Sequence, residues 1–289
     1  MQFLKKLNHR AKRLVAMLAV LVLTVTVIGG CDQTTKTPSS NAETQVVPQI
    51  QITKADTTVN GEDPIAIDLG GAGSVCSITE PGCYVLSGSY QGRIEVDAQD
   101  QVVHLIFAGV DIKTTSGPAV QVLSGGKVII TLQEGTVNTL LDAATYPQDS
   151  EANACIYSEC DLTINGTGAL NLSGYYEDGI RTKDVLKILG GNVFVQAKRD
   201  ALRGNDGIVV TCQSLEVQSE RNGLYTTKIG KVAKGNIEIY GGDYSVIAGG
   251  YAVSCANDLY IDQCQMYAIG VLGIYEVGGR SFIAEVSGE

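Results

Sequence analysis

The sequence predicts an all-β chain, a right-handed parallel β-helix with rungs of about 22 residues and three strands per rung. Three observations carry this expectation. Asp178-Gly179-Ile180, Asp200-Ala201-Leu202 and Asn222-Gly223-Leu224 recur at 22-residue intervals. Each is followed by two short runs in which apolar and polar residues alternate with the period of a strand. Glycine is abundant, at 34, and proline scarce, at 6. Tight corners need positive φ, and proline would remove ladder hydrogen bonds.

The chain opens with Lys5, Lys6, Arg10, Lys12 and Arg13, an apolar run from Leu14 to Ile28, and then Gly29-Gly30-Cys31. A basic start, a short apolar stretch and small residues before a cleavage point describe an export signal over residues 1–30. The run is short for a membrane span, which needs about 20 apolar residues. Cys31 after two glycines resembles a bacterial lipobox, so the expectation is lipidation at Cys31 and anchoring at the outer face of the bacterial cell membrane. Residues 31–60 are rich in Thr, Ser, Gln and Pro and read as a flexible tether. Residues 61–289 form one elongated domain.

Within that domain Val102 to Phe107, Val120 to Leu123 and Val128 to Leu132 read as early rungs, and Leu141 to Asn153 as a loop leaving the helix. From Asn153 onward the first strands begin at Cys155-Ile156, Ile180, Leu202, Leu224 and Val253. The second strands begin at Leu162, Leu186, Ile208, Ile237 and Leu259, and the third at Leu170, Val193, Leu215, Tyr244 and Met266. A seven-residue insertion around Thr227 to Lys234 interrupts the period. Stacking places each apolar position on its counterpart in the next rung, giving a core that one repeat could not form alone.

The chain carries −10 at neutral pH, and removal of the five basic residues of the signal leaves −15. Such a surface excludes nucleic acid, whose phosphates require Lys and Arg in excess. Beyond Cys31 there are seven cysteines, an odd number. Cys76 and Cys83 are close enough for a disulfide; buried thiols are the alternative. Zinc spacing is absent.

The phrases Gly82-Cys-Tyr-Val-Leu-Ser-Gly88, Gly135-Thr-Val-Asn138, Leu162-Thr-Ile-Asn-Gly-Thr-Gly168, Asp178-Gly-Ile-Arg-Thr-Lys-Asp184 and Gly190-Gly191 together resemble the bacterial carbohydrate-binding β-helix family. The resemblance runs over roughly residues 60–270. It implies a fold similar to that of pectate lyases, binding of cellulose or polygalacturonate, and calcium. This chain departs from the pattern at Asn222, where Asp is frequent.

Two acidic columns invite a cation. Asp178 and Asp200, one rung apart, would lie ~4.8 Å from each other, as would Asp184 and Asp206. Oxygen-rich clusters suit calcium, which takes about 6–8 oxygens; alternatively these residues only shape turns. Tyr157, Arg181, Arg203 and Tyr225 alternate with inward Ile156, Ile180, Leu202 and Leu224 and are expected to face outward. Tyr rings could stack on sugars and guanidiniums pair with uronate carboxylates. The plainer alternative is that the arginines neutralise neighbouring aspartates. Beyond the signal only His104 remains among the histidines; it is expected on a strand surface, with no nucleophile motif around it.

The function expected is therefore a lipid-anchored surface protein that binds polysaccharide, with calcium and without catalysis. Two other readings stay open: a pectate-lyase-like lyase, in which an Arg acts as base, and a structural cell-wall spacer or adhesin. Replacing Cys31 by Ala should abolish incorporation of labelled lipid or leave an uncleaved precursor. Unchanged lipid labelling would remove the lipobox reading.

Overall fold

A computed structural model describes residues 50–231 and 233–284, together with 286 and 287. The export signal and Cys31 lie outside the described residues. Apart from a helical turn at Lys54–Thr57 and a 3-10 turn at Leu69–Gly71, the regular structure is all strand. Every strand pairing among the described residues is parallel, giving there a solenoid-like stack of one 9-stranded and one 17-stranded sheet.

The pairings follow the repeat. Ala154–Ser158, Asp178–Thr182, Leu202–Gly204, Leu224–Thr226 and Tyr251–Cys255 stack in the 9-stranded sheet. Asp161–Gly166, Val185–Ile188, Gly207–Val210, Asn236–Tyr240 and Leu259–Asp262 stack in the other. So do Ala169–Gly174, Asn192–Ala197, Ser214–Ser219, Asp243–Ala248 and Cys264–Gly270. Near the start, Val102–Lys113 is long enough to pair with both Lys127–Leu132 and Val137–Leu141, which joins these two series into one sheet.

Period-2 alternation fixes which side chains meet. Ile156, Ile180, Leu202, Leu224 and Val253 form one buried column; Leu162, Leu186, Ile208, Ile237 and Leu259 form another. Each fully buried aliphatic side chain contributes roughly 1.5–3 kcal/mol. A one-residue slip would turn every column outward, so the pattern locks the register.

The cysteines join this core. All seven among the described residues are buried free thiols, Cys76 and Cys83 included, and burial raises the pKa of the Cys76 and Cys83 thiols. His104 corrects the sequence reading: it is buried, with Nε2 2.6 Å from Thr131 Oγ1. Burial lowers its pKa, which favours the neutral ring.

Of the 31–60 stretch read in the sequence as a flexible tether, residues 50–60 lie among the described residues. Residues 50–58 form a strap across the outer face of the 17-stranded sheet. Ile50 N donates to Glu238 Oε1 at 2.8 Å, and Lys187 Nζ donates to the Gln51 carbonyl at 2.8 Å. Gly207 leaves room for the strap, since a Cβ there would lie 2.6 Å from Ile50 Cδ1. Asp56, fully buried, receives Lys127 Nζ at 2.6 Å, Lys187 Nζ at 2.9 Å and Thr163 Oγ1 at 2.7 Å. Asn165 Nδ2 ties down the Asp56 and Thr58 carbonyls. Composition did not show this because the partners lie more than 70 residues away.

Burial by itself would push the Asp56 carboxyl up; the hydrogen bonds from Lys127, Thr53, Thr163 and Lys187 outweigh it and hold the pKa well below the usual range. Its contribution is therefore complete above the unfolded carboxyl pKa of about 4 and is lost as pH falls toward the folded value. Asp56→Ala should cost about 3–5 kcal/mol at neutral pH by urea unfolding. The gap to the parent should narrow below about pH 4. Equal stability at neutral pH would mean that the strap is not held by this carboxylate.

Candidate functional site

On the outer face of the 9-stranded sheet, backbone register brings together the residues the repeat singled out. Arg181 lies opposite Tyr157 and Arg203, and Arg203 lies opposite Tyr225. Neighbours in this column are ~4.8 Å apart along the stack. Arg181 sits 5.9 Å from the Tyr157 ring centroid. Arg203 and Arg221 sit 5.2 and 5.1 Å from that of Tyr225.

The column is not uniformly outward. Tyr157 is only 1% exposed, because Tyr146 and Ala152 of the 142–153 loop pack on it. Its hydroxyl donates to Glu159 Oε1 at 2.7 Å. The loop is pinned in turn: Tyr146 Oη lies 2.8 Å from Asp142 Oδ2 and 2.8 Å from the Ala154 carbonyl, and its ring stacks on Tyr176 at 4.2 Å. Burial lifts the pKa of Asp142 to about 6, despite hydrogen bonds from Tyr175 and Tyr146. Alternation gave the correct face for Tyr157 but could not foresee a cover from another segment.

The aspartates beside this column have partners that the sequence reading missed. Asp178 is fully buried and accepts a two-pronged guanidinium from Arg199, Nε at 2.8 Å and Nη2 at 2.9 Å, together with the Asp200 backbone N–H at 3.1 Å. Asp200 repeats the arrangement with Arg221 and the Asn222 backbone N–H. Each arginine thus stands one residue before the next column member. The third member breaks the pattern: Asn222 accepts from Tyr251 N–H at 3.2 Å, and the residue before Tyr251 is Gly250. No guanidinium is supplied there, and a neutral amide stands where a carboxylate would be uncompensated. The signal was in the sequence, as Arg199-Asp200 and Arg221-Asn222.

In the second column Asp184 and Asp206 stack in adjacent repeats. Lys234 and Lys228 engage Asp206. Burial, followed by the like charges of Asp161 and Asp206, raises the Asp184 pKa.

Asp178 and Asp200 have their oxygens taken by guanidiniums and amides, whereas Asp206 keeps Oδ1 without a hydrogen-bond partner beside its two lysines. Among the described residues no three His, Cys, Asp or Glu side chains converge to hold a metal ion. Calcium at Asp178, Asp184, Asp200 and Asp206, expected from the sequence, would have to compete with these guanidinium, amide and lysine partners.

On the arginine column the surplus is cationic. Arg199, Arg203 and Arg221 pair with Glu177, Asp178 and Asp200, and Arg181, beside Arg203 in the column, makes no ion pair among the described residues. Arg181 spends Nη1 on Asn153 Oδ1 at 2.6 Å. Arg203 reaches only the far oxygens of Asp178 and Asp200, at 3.9 and 4.0 Å, with 16% of its side chain exposed. The Nε–H groups of Arg181 and Arg203 are both buried without an acceptor. Burial, and after it the like charge of Arg181, lowers the Arg203 pKa. It is the exposed part of these guanidiniums, beside the Tyr225 ring, and not the buried Nε–H groups, that a carboxylate can reach.

Residues 72–275 match the family described as carbohydrate-binding domain-containing protein. The chain belongs to that family. A carbohydrate-binding domain-containing protein of Acetivibrio thermocellus is 42% identical over 126 residues, covering 42% of this chain and 44% of that relative. The chain thus spans less than half the length of the curated relative it matches. A polysaccharide lyase-like protein from C. thermocellum, solved as a gadolinium derivative, is 30% identical with a TM-score of 0.73. That similarity covers 78% of this chain and 98% of the solved one.

The carboxylate column yields a direct test. Replacing Asp178 and Asp200 by Asn should destabilise the protein by about 3–5 kcal/mol, equally with added calcium and with chelator. A loss confined to calcium-containing buffer would restore the metal to this column.

Proposed function

We propose that this carbohydrate-binding domain-containing protein binds an acidic polysaccharide of the polygalacturonate type, without cleaving it, on the Arg181–Arg203 face. The observation that carries the reading is a cluster with surplus positive charge in which Arg203 has only distant ion partners, at 3.9 and 4.0 Å. In a chain of −10 overall, keeping that cluster cationic has a local purpose. A guanidinium pairs with a planar carboxylate through two parallel hydrogen bonds, and the Tyr225 ring supplies an apolar face for a sugar. Cellulose is the neutral competitor, which this charge disfavours.

The proposal extends to the finer points of architecture and location. The stack is read as a right-handed parallel β-helix with three strands per rung, anchored outside the cell membrane through lipid on Cys31. Periodic display suits a polymer: weak contacts one strand apart act together by effective concentration. No step in this reading passes through calcium.

A second reading, lyase activity, rests on one observation. The lowered pKa of Arg203 eases proton abstraction from the carbon beside a uronate carboxylate. The C–O bond to the leaving sugar would break as a double bond forms, and the leaving oxygen would take up a proton. Binding is preferred because a base must lose its proton, whereas Asp178 and Asp200 at 3.9 and 4.0 Å favour the charged guanidinium.

Replacing both Arg181 and Arg203 by Gln should weaken retention on polygalacturonate by about tenfold or more. Retention on neutral glucan and the urea midpoint should stay near the parent values. Equal loss on both sugars would make stacking the dominant force. Ultraviolet absorbance from unsaturated uronate ends would make the protein a lyase, and no retention on either polymer would favour the spacer reading.

A further inference from the structure

The 142–153 loop lies over one end of the arginine column and engages it. Tyr146 and Ala152 pack on Tyr157 and bury it. Asn153 accepts Arg181 Nη1 at 2.6 Å and gives its own Nδ2 to Glu177 Oε2 at 2.8 Å. Glu151 sits 3.6 Å from Lys183 Nζ. The loop therefore holds one of the two guanidiniums of the column and hides the aromatic ring beside it.

The carboxyl that fastens this loop differs from the other buried aspartates. Asp56, Asp178 and Asp200 each sit against Lys or Arg. Asp142 is buried too, yet has no ion pair among the described residues. Its Oδ1 accepts the Tyr175 backbone N–H at 2.5 Å. Its Oδ2 lies 2.8 Å from Tyr146 Oη, which lies 2.8 Å from the Ala154 carbonyl as well. A phenol carries one hydrogen, and a carbonyl or an ionised carboxylate can only accept. With Asp142 charged, two acceptors compete for that hydrogen, and a buried anion lacks a counter-ion. With Asp142 protonated, both contacts are satisfied: the carboxyl O–H donates to Tyr146 Oη, and Tyr146 donates its own hydrogen to Ala154. The closed loop is built around a neutral carboxyl.

We propose that the 142–153 loop is a proton-controlled lid on the arginine face, closed while Asp142 holds a proton and releasing Tyr157 and Arg181 when that proton leaves for solvent. The titratable groups facing Asp142 are Tyr146 from the loop, Cys155 from the strand Ala154–Ser158, and Tyr176 from the turn after Ala169–Gly174. None of them is a cation that would hold the ionised form. With the loop closed, burial keeps the Asp142 pKa at about 6; in water a carboxyl of this kind titrates near about 4. Closure is therefore strongest below about pH 4, weakens by about tenfold per pH unit up to about pH 6, and is level above it. Opening extends the column from Arg181–Tyr225 to Tyr157–Tyr225. That the lid acts on an acidic polysaccharide rests on the function proposed above; that a proton closes it does not.

The test uses the full chain, with amide hydrogen exchange across the loop read as protection factors at about pH 5 and about pH 7. The parent's protection should fall by about tenfold between the two. Asp142→Asn, whose amide replaces the carboxyl O–H as donor to Tyr146, should keep the loop protected at both. Tyr146→Phe, which removes the shared hydroxyl, should leave it poorly protected at both. Urea midpoints near the parent value confirm that the variants fold. Retention of the parent on polygalacturonate should be stronger at the higher pH, and Asp142→Asn should lose that gain. Parent protection that does not change with pH, or a change that persists in Asp142→Asn, would overturn the proton control. Equal retention of the parent and Asp142→Asn at the higher pH, with exchange responding as expected, would overturn the lid's role in binding. Responsive exchange with no retention at either pH would instead sink the acidic-polysaccharide reading and uphold the proton-closed loop.

Discussion

Carboxylates stacked one strand apart in a dry corner repel by roughly 3–4 kcal/mol at an effective dielectric near 20, and each repeat would add another. The chain answers with arginines placed one residue ahead of the next column member. Arg199 reaches back to Asp178, and Arg221 to Asp200. Much of the arginine face follows from that arrangement. The aspartates are held buried, the corner is rigid, and Arg203 finds its two nearest anions already matched by better partners. A cation left without a close acceptor is the physical origin of the carboxylate-binding proposal. The same rule explains Asn222: with Gly250 next in the series, a charged side chain would have had no counter-ion.

The faces of the stack consequently differ in chemistry although they share one backbone pattern. The outer face of the 17-stranded sheet is occupied in part by the chain itself, through Asp56 and its lysines. The 9-stranded face leaves Arg181, Arg203 and Tyr225 half-buried but is closed over Tyr157 by the 142–153 loop. A solenoid that displays similar positions in every repeat can thus gain distinct local functions when short segments cover some repeats and leave others exposed.

Much of this was legible in the residues. Apolar alternation and 22-residue spacing placed Ile180 over Ile156 and Leu202, because register in a parallel stack is governed by a period the sequence writes directly. The Arg181–Arg203 adjacency followed from the same spacing. What escaped notice came from contacts between distant segments. Burial of Tyr157 depends on Tyr146, that of Asp56 on Lys127 and Lys187, and that of His104 on strand packing, none of which leaves a local periodicity. The Asp178–Arg199 pairing lies between these cases. Its spacing of 21 residues repeats at Asp200–Arg221, but two aspartates one repeat apart match equally the oxygen-rich spacing that a cation would use.

The most direct measurement is a crystal structure of the protein with a short oligogalacturonide. A uronate carboxylate should lie within hydrogen-bonding distance of the Arg181 or Arg203 guanidinium, with its sugar ring against Tyr225 and the Asp178–Arg199 pair intact. An oligosaccharide bound elsewhere on the protein would contradict that placement. So would one whose carboxylate is held by a metal on Asp178 and Asp200 after Arg199 and Arg221 have swung away.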